Sequence, residues 1–218
     1  MRAILIPVKE FSRSKERLAP QFSEEQRTML AAALCGDFFK VVSQVKGVER
    51  VYVVSKEYKA LSLAKQLNWE IISEREQISE SHSVDEASRY CQERGVSALL
   101  RLPIDIPLAT ATDIEAIFAA AEDPPCAVIV PSGDGTGTNA LLRSPPTLFP
   151  SHFGPNSFVL HMQEAERAGA RVKVIRNARI ELDVDEPADL EAAAPLLSPG
   201  ATQRWLKQSR QSVPRSAS

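Results

Sequence analysis

Several side chains in this sequence stand where they could handle phosphate. Lys9, Arg13, Lys15 and Arg17 crowd the stretch K-E-F-S-R-S-K-E-R-L-A-P. Cations gathered in this way can grip phosphate oxygens. Asp105 lies between two prolines in P-I-D-I-P, where it is kept out of a helix. Asp183 and Asp185, in D-V-D, share one side of an extended backbone. Carboxylate oxygens suit Mg²⁺, which takes about one or two protein carboxylates plus substrate phosphates. Asp105 with either or both of Asp183 and Asp185 is therefore a candidate Mg²⁺ site. The stretch P-S-G-D-G-T-G-T-N-A-L-L from Pro131 carries Gly133, Gly135 and Gly137, with Thr136, Thr138 and Asn139 as small donors. Such a loop can turn tightly and cradle an anion. Gly154–Ser157 precedes a helical pattern, and free N–H groups at a helix start form another anion site.

Each feature also has a plainer reading. The basic stretch could be a solvated loop, diluted by Glu10 and Glu16. The glycine stretch could be a hairpin turn, Asp105 a turn cap, and Asp185 or Glu186 the cap of the helix that follows. What favours chemistry is that all of them fall at loop positions along one edge of a sheet. The combination suits a nucleoside triphosphate handled with Mg²⁺.

The elements that position these residues can be read from hydrophobic patterning. Ala3–Val8 is a first central strand, and the basic stretch follows its C-terminal end, where open α/β sheets bind ligands. Ser23-x-x-Gln26 is a capping box opening a helix to about Val45. Strands are expected at Val51–Val54, Glu70–Ile72, Ala98–Leu102, Cys126–Val130, Ala140–Leu142, Arg171–Ile175 and Arg179–Leu182. Helices are expected at Lys56–Leu67, Asp85–Arg94, Thr112–Ala121 capped by Thr110 or Thr112, Ser157–Ala168 capped by Ser157, and Pro187–Leu196. Ser73–Ser83 is expected to be loop. The alternation predicts an α/β fold with a central, mainly parallel sheet and helices on both faces. One domain over 1–197 and a poorly ordered tail over 198–218, anchored only by Trp205 and Leu206, complete the expectation.

Composition narrows the function classes. With 218 residues, 44% hydrophobic and 25% charged, the chain fits one sizeable soluble domain. A net charge of −2 argues against broad nucleic-acid binding. No apolar run is long enough for a membrane span, and a cytoplasmic location is expected. Cys35, Cys91 and Cys126 form no C-x-x-C and are expected as buried thiols. There is no G-K-[ST] P-loop, no G-x-G-x-x-G fingerprint, no G-x-S-x-G elbow, and His82, His152 and His161 lack zinc spacing. His161 is expected on a helix face, packed or solvated. Nucleotidyl transfer needs no histidine when the acceptor is a phosphate monoester already anionic at neutral pH.

Six motifs together resemble one family. They are I-P-V-K from Ile6, S-K-E-R-L-A-P from Ser14, L-P-I-D-I-P-L from Leu102, G-D-G-T-G-T-N-A-L-L from Gly133, F-G-P-N-S-F from Phe153 and D-V-D-E-P-A-D-L from Asp183. In this order they are similar to the guanylyltransferases of deazaflavin coenzyme F-420 biosynthesis. The resemblance implies a single-domain, three-layer nucleotidyltransferase-like (Rossmann-like) fold and a Mg²⁺-dependent reaction. GTP and a small phosphorylated carboxylic acid (phospholactate, phosphoenolpyruvate or 3-phosphoglycerate) would give a guanosine diphosphate-linked acid and pyrophosphate. It implies acceptor binding by Thr138, Gly154 and Ser157, with Asn139 beside them. It implies metal binding by Asp105 with Asp183 or Asp185, and triphosphate binding by Lys9, Lys15 and Arg17. Lys15, Arg17 and Asp105 would carry the catalysis. Partners would be these two substrates, without nucleic acid or membrane, and a homodimer is the assembly to test. Ser81–Glu86 departs from the family's Gly-Leu-Asn-type segment near the base pocket. Two other readings stay open: another sugar or cofactor nucleotidyltransferase or DxD glycosyltransferase of related fold, and a nucleotide-binding regulatory module without turnover.

Overall fold

A computed structural model describes residues 1–74 and 78–211. Seven strands form one sheet: β1 (Arg2–Val8), β2 (Arg50–Ser55), β3 (Glu70–Ser73), β4 (Ala98–Arg101), β5 (Cys126–Pro131), β6 (Thr138–Ser144) and β7 (Arg171–Val174). Their order across the sheet is β3-β2-β1-β4-β6-β5-β7. Only β6 runs against its neighbours, pairing antiparallel with β4 and with β5. It does so because the glycine loop returns the chain directly from β5, whereas a parallel return needs a long crossover.

The strands alternate two buried faces, as the pleat requires. Ile4, Ile6 and Val8 of β1 meet α1 (Glu24–Val42), α2 (Tyr58–Gln66) and α4 (Ala111–Ala119) through Phe38, Phe39, Ala60, Ile114 and Phe118. Ala3 and Leu5 face α3 (Glu80–Glu93) through Val84, Ala87 and Cys91. Ala127 and Ile129 of β5 face α5 (Ser157–Arg167) through Ala165. The result is three layers, as patterning predicts. The cysteines are buried free thiols, and among the described residues no helix is long and apolar enough to cross a membrane.

Four expectations need correction. Ala178–Glu181, expected within a strand over Arg179–Leu182, is a short helix, α6. The Asn177 side chain caps it by accepting from Arg179 and Ile180, and the Asp113 carboxylate takes the Arg179 guanidinium. Helix α3 starts at Glu80, five residues before Asp85, because the Ser79 hydroxyl caps His82. The expected loop over Ser73–Ser83 is thus shorter, and residues 75–77 of it lie outside the described residues. Asn156, at φ 59°, is the N-cap of α5 in place of Ser157.

The fourth correction concerns the tail. After α7 (Pro187–Ala193), residues Ala201–Gln211 form α8. Trp205 and Leu206 do anchor it, packing with Leu18, Leu30 and Leu34, and Trp205 meets Phe22 at 5.1 Å. The Asp37 carboxylate of α1 accepts from the Ala201 and Thr202 amides at 3.0 and 2.8 Å, so the cap comes from another helix. Ser212–Ser218 of the expected tail lie outside the described residues.

Candidate active site

The C-terminal ends of β1 and β4, the glycine loop, the start of α5 and the D-V-D segment surround one cleft of about 1100 Å³. Every candidate named from the sequence lines it: Lys9, Lys15, Arg17, Asp105, Thr138, Asn139, Gly154, Ser157, Asp183 and Asp185. A single small ligand typically occupies about 300–1,000 Å³, so two substrates fit side by side.

At one end the charges meet. Phe11 and Leu18 bury themselves on either side of the basic loop and pin it to the core. Lys15 between them adopts φ 59°, a left-handed conformation uncommon for a residue with a side chain. Its Nζ lies 2.6 Å from Asp105 Oδ2 and 3.1 Å from Asp185 Oδ1. Burial works against the Lys15 charge, but Asp105 and Asp185 outweigh it and raise the ammonium pKa. Burial likewise works against the Asp105 charge, and Lys15 with Arg101 holds its carboxyl below the ordinary value. Arg17 is exposed and reaches Asp185 and Glu186 at 3.8 Å each. Lys9, also exposed, lies 3.7 Å from Glu80.

Val184 is fully buried, and its amide donates to the Asp105 carbonyl at 2.9 Å. That bond ties D-V-D to the strand end bearing Asp105 and leaves Asp183 and Asp185 on the cleft side. Glu186 caps α7 reciprocally with Asp189, so the Asp185 carboxylate is free to meet Lys15. Asp183 accepts from Asn139 Nδ2 at 3.0 Å. Burial pushes the Asp183 carboxyl up to about 6, Asn139 opposes that, and neighbouring Asp105 and Asp185 add to it.

The three aspartates do not form a metal cage by themselves. Among the described residues, no group of three His, Cys, Asp or Glu side chains is placed to hold a metal ion, because the Lys15 ammonium stands between Asp105 and Asp185. The donor set still fits Mg²⁺, which needs about one or two carboxylates when phosphates supply the rest. Asp183 is the carboxylate whose charge is least compensated here.

At the other end the Thr138 hydroxyl sits among neutral hydrogen bonds. Thr138 Oγ1 lies 3.0 Å from His161 Nδ1, and His161 Nε2 accepts from the His152 amide at 2.8 Å. The second bond leaves the ring proton on Nδ1, which donates to Thr138, so the threonine hydroxyl keeps its own proton for a ligand. Burial holds His161 down to about 3, with Arg143, Arg101 and His152 adding to the shift, so it is neutral near pH 7. Gly154 and Ser157 flank the start of α5 beside Thr138.

The glycine loop is a hairpin whose amides are largely taken. Gly133 donates to the Glu181 carbonyl at 2.8 Å, Gly135 to Ser132 at 2.9 Å, and Gly137 to Ser132 Oγ at 2.7 Å. A Cβ at Gly137 would come within 2.8 Å of Ser132 Oγ, so a larger residue there would displace the Ser132 hydroxyl from the Gly137 amide. The expected amide cradle is therefore absent at these positions. At the start of α5, the Ser157 and Phe158 amides donate to Gly154 and Thr136 carbonyls, so those two are not free either. At these five positions the amides are engaged, which leaves the Thr138 and Ser157 hydroxyls and the Gly154 backbone as the groups offered at the acceptor end. Sequence reasoning missed Arg101, Glu80 and His161. An arginine inside the apolar strand A-L-L-R-L, and a histidine four residues after Ser157 on one helix face, were the available signals.

Residues 1–217 match the family described as Guanylyl transferase CofC like. The chain belongs to that family. Phosphoenolpyruvate guanylyltransferase of Rubrobacter xylanophilus is 37% identical over 188 residues, covering 85% of this chain and 90% of the relative. 2-phospho-L-lactate guanylyltransferase of Methanosphaera stadtmanae is 30% identical over 190 residues, covering 85% and 80%. In fold, the chain is similar to a nucleotidyl transferase from Methanothermobacter thermautotroptrophicus, with TM-score 0.64, 16% identity and 95% and 99% coverage. The nucleotidyltransferase-like architecture of this CofC-like chain is thus seen in its sheet and in its structural neighbour alike.

Proposed function

We propose that this CofC-like protein transfers GMP from GTP to the phosphate of a small phosphorylated carboxylic acid, releasing pyrophosphate, as a step of coenzyme F-420 biosynthesis. The observation that carries the reading is the division of one cleft into two ends. A cation–carboxylate cluster on Lys15 faces a neutral donor, Thr138, oriented by His161. The family membership and the substrates named for its relatives point the same way.

In this reading an oxygen of the acceptor phosphate, ionised at neutral pH, attacks the α-phosphorus of GTP in line. The new P–O bond forms as the bond to the β-phosphate breaks, and pyrophosphate departs. No general base is needed, which suits a site whose buried histidine is held neutral. Lys15 stabilises the charge shifting toward the leaving group. Lys9 and Arg17, flexible and exposed, receive the outer phosphates. Thr138, Ser157 and Gly154 place the acceptor, and Asn139 fixes Asp183. Asp105 and Asp183 would hold Mg²⁺, which supplies charge neutralisation across the phosphates.

The test is pyrophosphate release from GTP and Mg²⁺ with phospholactate, phosphoenolpyruvate and 3-phosphoglycerate, each alone. Release with one of them names the acceptor. Silence with all three would turn the test to another nucleoside triphosphate, then to an unrelated acceptor, and only then to the regulatory module.

A further inference from the structure

The acceptor end holds a buried cation for which phosphate transfer has no use. Arg101 comes from β4, is 6% exposed and lines the cleft. Its guanidinium lies 4.1 Å from the centroid of the Phe153 ring, and Phe153 immediately precedes Gly154. Nη1 donates to the Thr138 carbonyl at 3.3 Å. The arginine therefore braces both segments that form the acceptor end.

Its own bonding is incomplete. Nη2 pairs with Glu80, and the buried Nε has no partner. A guanidinium carries five donors in a planar fork suited to a carboxylate gripped at two points. Glu80, the carboxylate it bonds directly, is shared with Lys9 at 3.7 Å, while Asp105 and Asp183 act on the guanidinium only through space. A buried cation without its full complement of hydrogen-bond partners is costly. Glu80 is the first residue of α3 and lines the cleft, so its side chain can swing away without breaking the helix.

The acceptors in the proposed reaction carry two anions, a phosphate and a carboxylate. Resting on that reading, we propose that Arg101 reads the acceptor's carboxylate, with Glu80 holding the guanidinium until the acid displaces it. Arg101 then sets the requirement for an acid over a phosphorylated alcohol. Glu80 is a removable counter-ion and no part of the chemistry.

The experiment compares Michaelis constants for GTP and acceptor in wild type, R101M, R101K and E80Q. It uses the acid that wild type turns over and a phosphorylated alcohol of equal length lacking the carboxylate. R101M is expected to raise the acid's constant about tenfold to a hundredfold, the scale of a charge-assisted bond, and to leave that for GTP unchanged. Wild type should prefer acid to alcohol by a similar factor, and R101M should not. R101K keeps the charge without the fork and should lose part of the preference. E80Q should lower the acid's constant by removing a competitor. An unchanged preference in R101M, or in R101K if R101M does not fold, overturns the proposal. So does an E80Q variant that changes the choice among nucleoside triphosphates instead, which would make Glu80 a base reader. If wild type releases no pyrophosphate with any phosphorylated acid, the underlying reading has failed and this inference falls with it.

Discussion

The two ends of the cleft are held together by opposite means. Around Lys15 the contacts are ionic and provisional: one ammonium serves two carboxylates, and a third, Asp183, is held only by Asn139 among the side chains. Around the Thr138 hydroxyl the contacts are neutral, with a histidine locked in one tautomer by a backbone amide, while the charged Arg101–Glu80 pair braces the backbone behind it. In the proposed reaction the charged end must rearrange when a triphosphate arrives, since its cations are already taken up by protein carboxylates. The neutral end needs no rearrangement to offer a hydroxyl. Under the proposed function, the difference teaches that pre-organisation is concentrated where the smaller substrate, with less binding surface of its own, would be aligned.

Breaking the charged end should have the largest effect. Asp105→Asn is expected to lower the rate of pyrophosphate release by a hundredfold or more, on the scale of about 10²–10³ for one transition-state contact. A rate within a few-fold of wild type would remove Asp105 from the chemistry. Next, Lys15→Met should weaken triphosphate handling by about 1.5–3 kcal/mol, visible as a tenfold to hundredfold loss in kcat/KM for GTP. If the loss appeared on the acceptor's constant alone, the two ends would have been assigned the wrong way round.

Asp183→Asn sharpens the contrast in the opposite direction. The folded carboxyl sits at about 6, raised from 3.8, so in metal-free protein its ionisation opposes folding. The stability tied to its protonated form is fully present below about pH 4 and is lost as pH rises through about 6. The variant should therefore be more stable than wild type above pH 6, by about 1–2 kcal/mol given partial solvent screening. Melting curves at pH 7.5 and pH 4 check this, and the gain should vanish at the lower pH even though activity is impaired.

At the neutral end, Thr138→Ala should raise the acceptor's Michaelis constant about tenfold, the cost of one bond to an anion, with little change for GTP. Equal effects on both substrates would dissolve the distinction between the ends. The smallest effect concerns His161→Gln. In the folded protein His161 is held down to about 3, so the unfolded chain takes up its proton first as pH falls below about 6.5. Its contribution is present above that value and lost as pH falls toward 3. The variant should show a shallower decline of melting temperature between pH 6.5 and 3.

What could be read beforehand follows the same division. The charged end was legible, because lysines, an Asp held between prolines and an Asp pair announce themselves by type. The sheet was legible for a similar reason, since Ile4, Ile6 and Val8 alternate and the loops punctuate. The neutral end was only half legible. His161 looks like any helical histidine until Thr138, from a strand 23 residues earlier, is folded against it. Arg101 looked like part of a strand because its partner Glu80 lies in a segment expected to be loop. The α8 helix was hidden because its cap, Asp37, lies 164 residues away. Helix α6 depends in the same way on Asp113, 66 residues before Arg179.

Thr138 and Asn139 are consecutive residues at the start of β6, and the pairing with β5 shifts register there, Pro131 facing Thr138 and Val130 facing Ala140, so that a bulge at Asn139 lets both side chains line one cleft. One meets His161, and the other grips the Ile180 carbonyl and Asp183. That bulge sets the spacing between the hydroxyl that places the acceptor in the proposed reaction and the side-chain amide that holds Asp183. Side-chain changes at either end can retune affinity for a different acid while that spacing stays constant, because it is written in backbone geometry. Restoring a regular pleat there would turn one of the two side chains away from the cleft. The antiparallel pairing of β6 on both edges acts as the jig that prevents it.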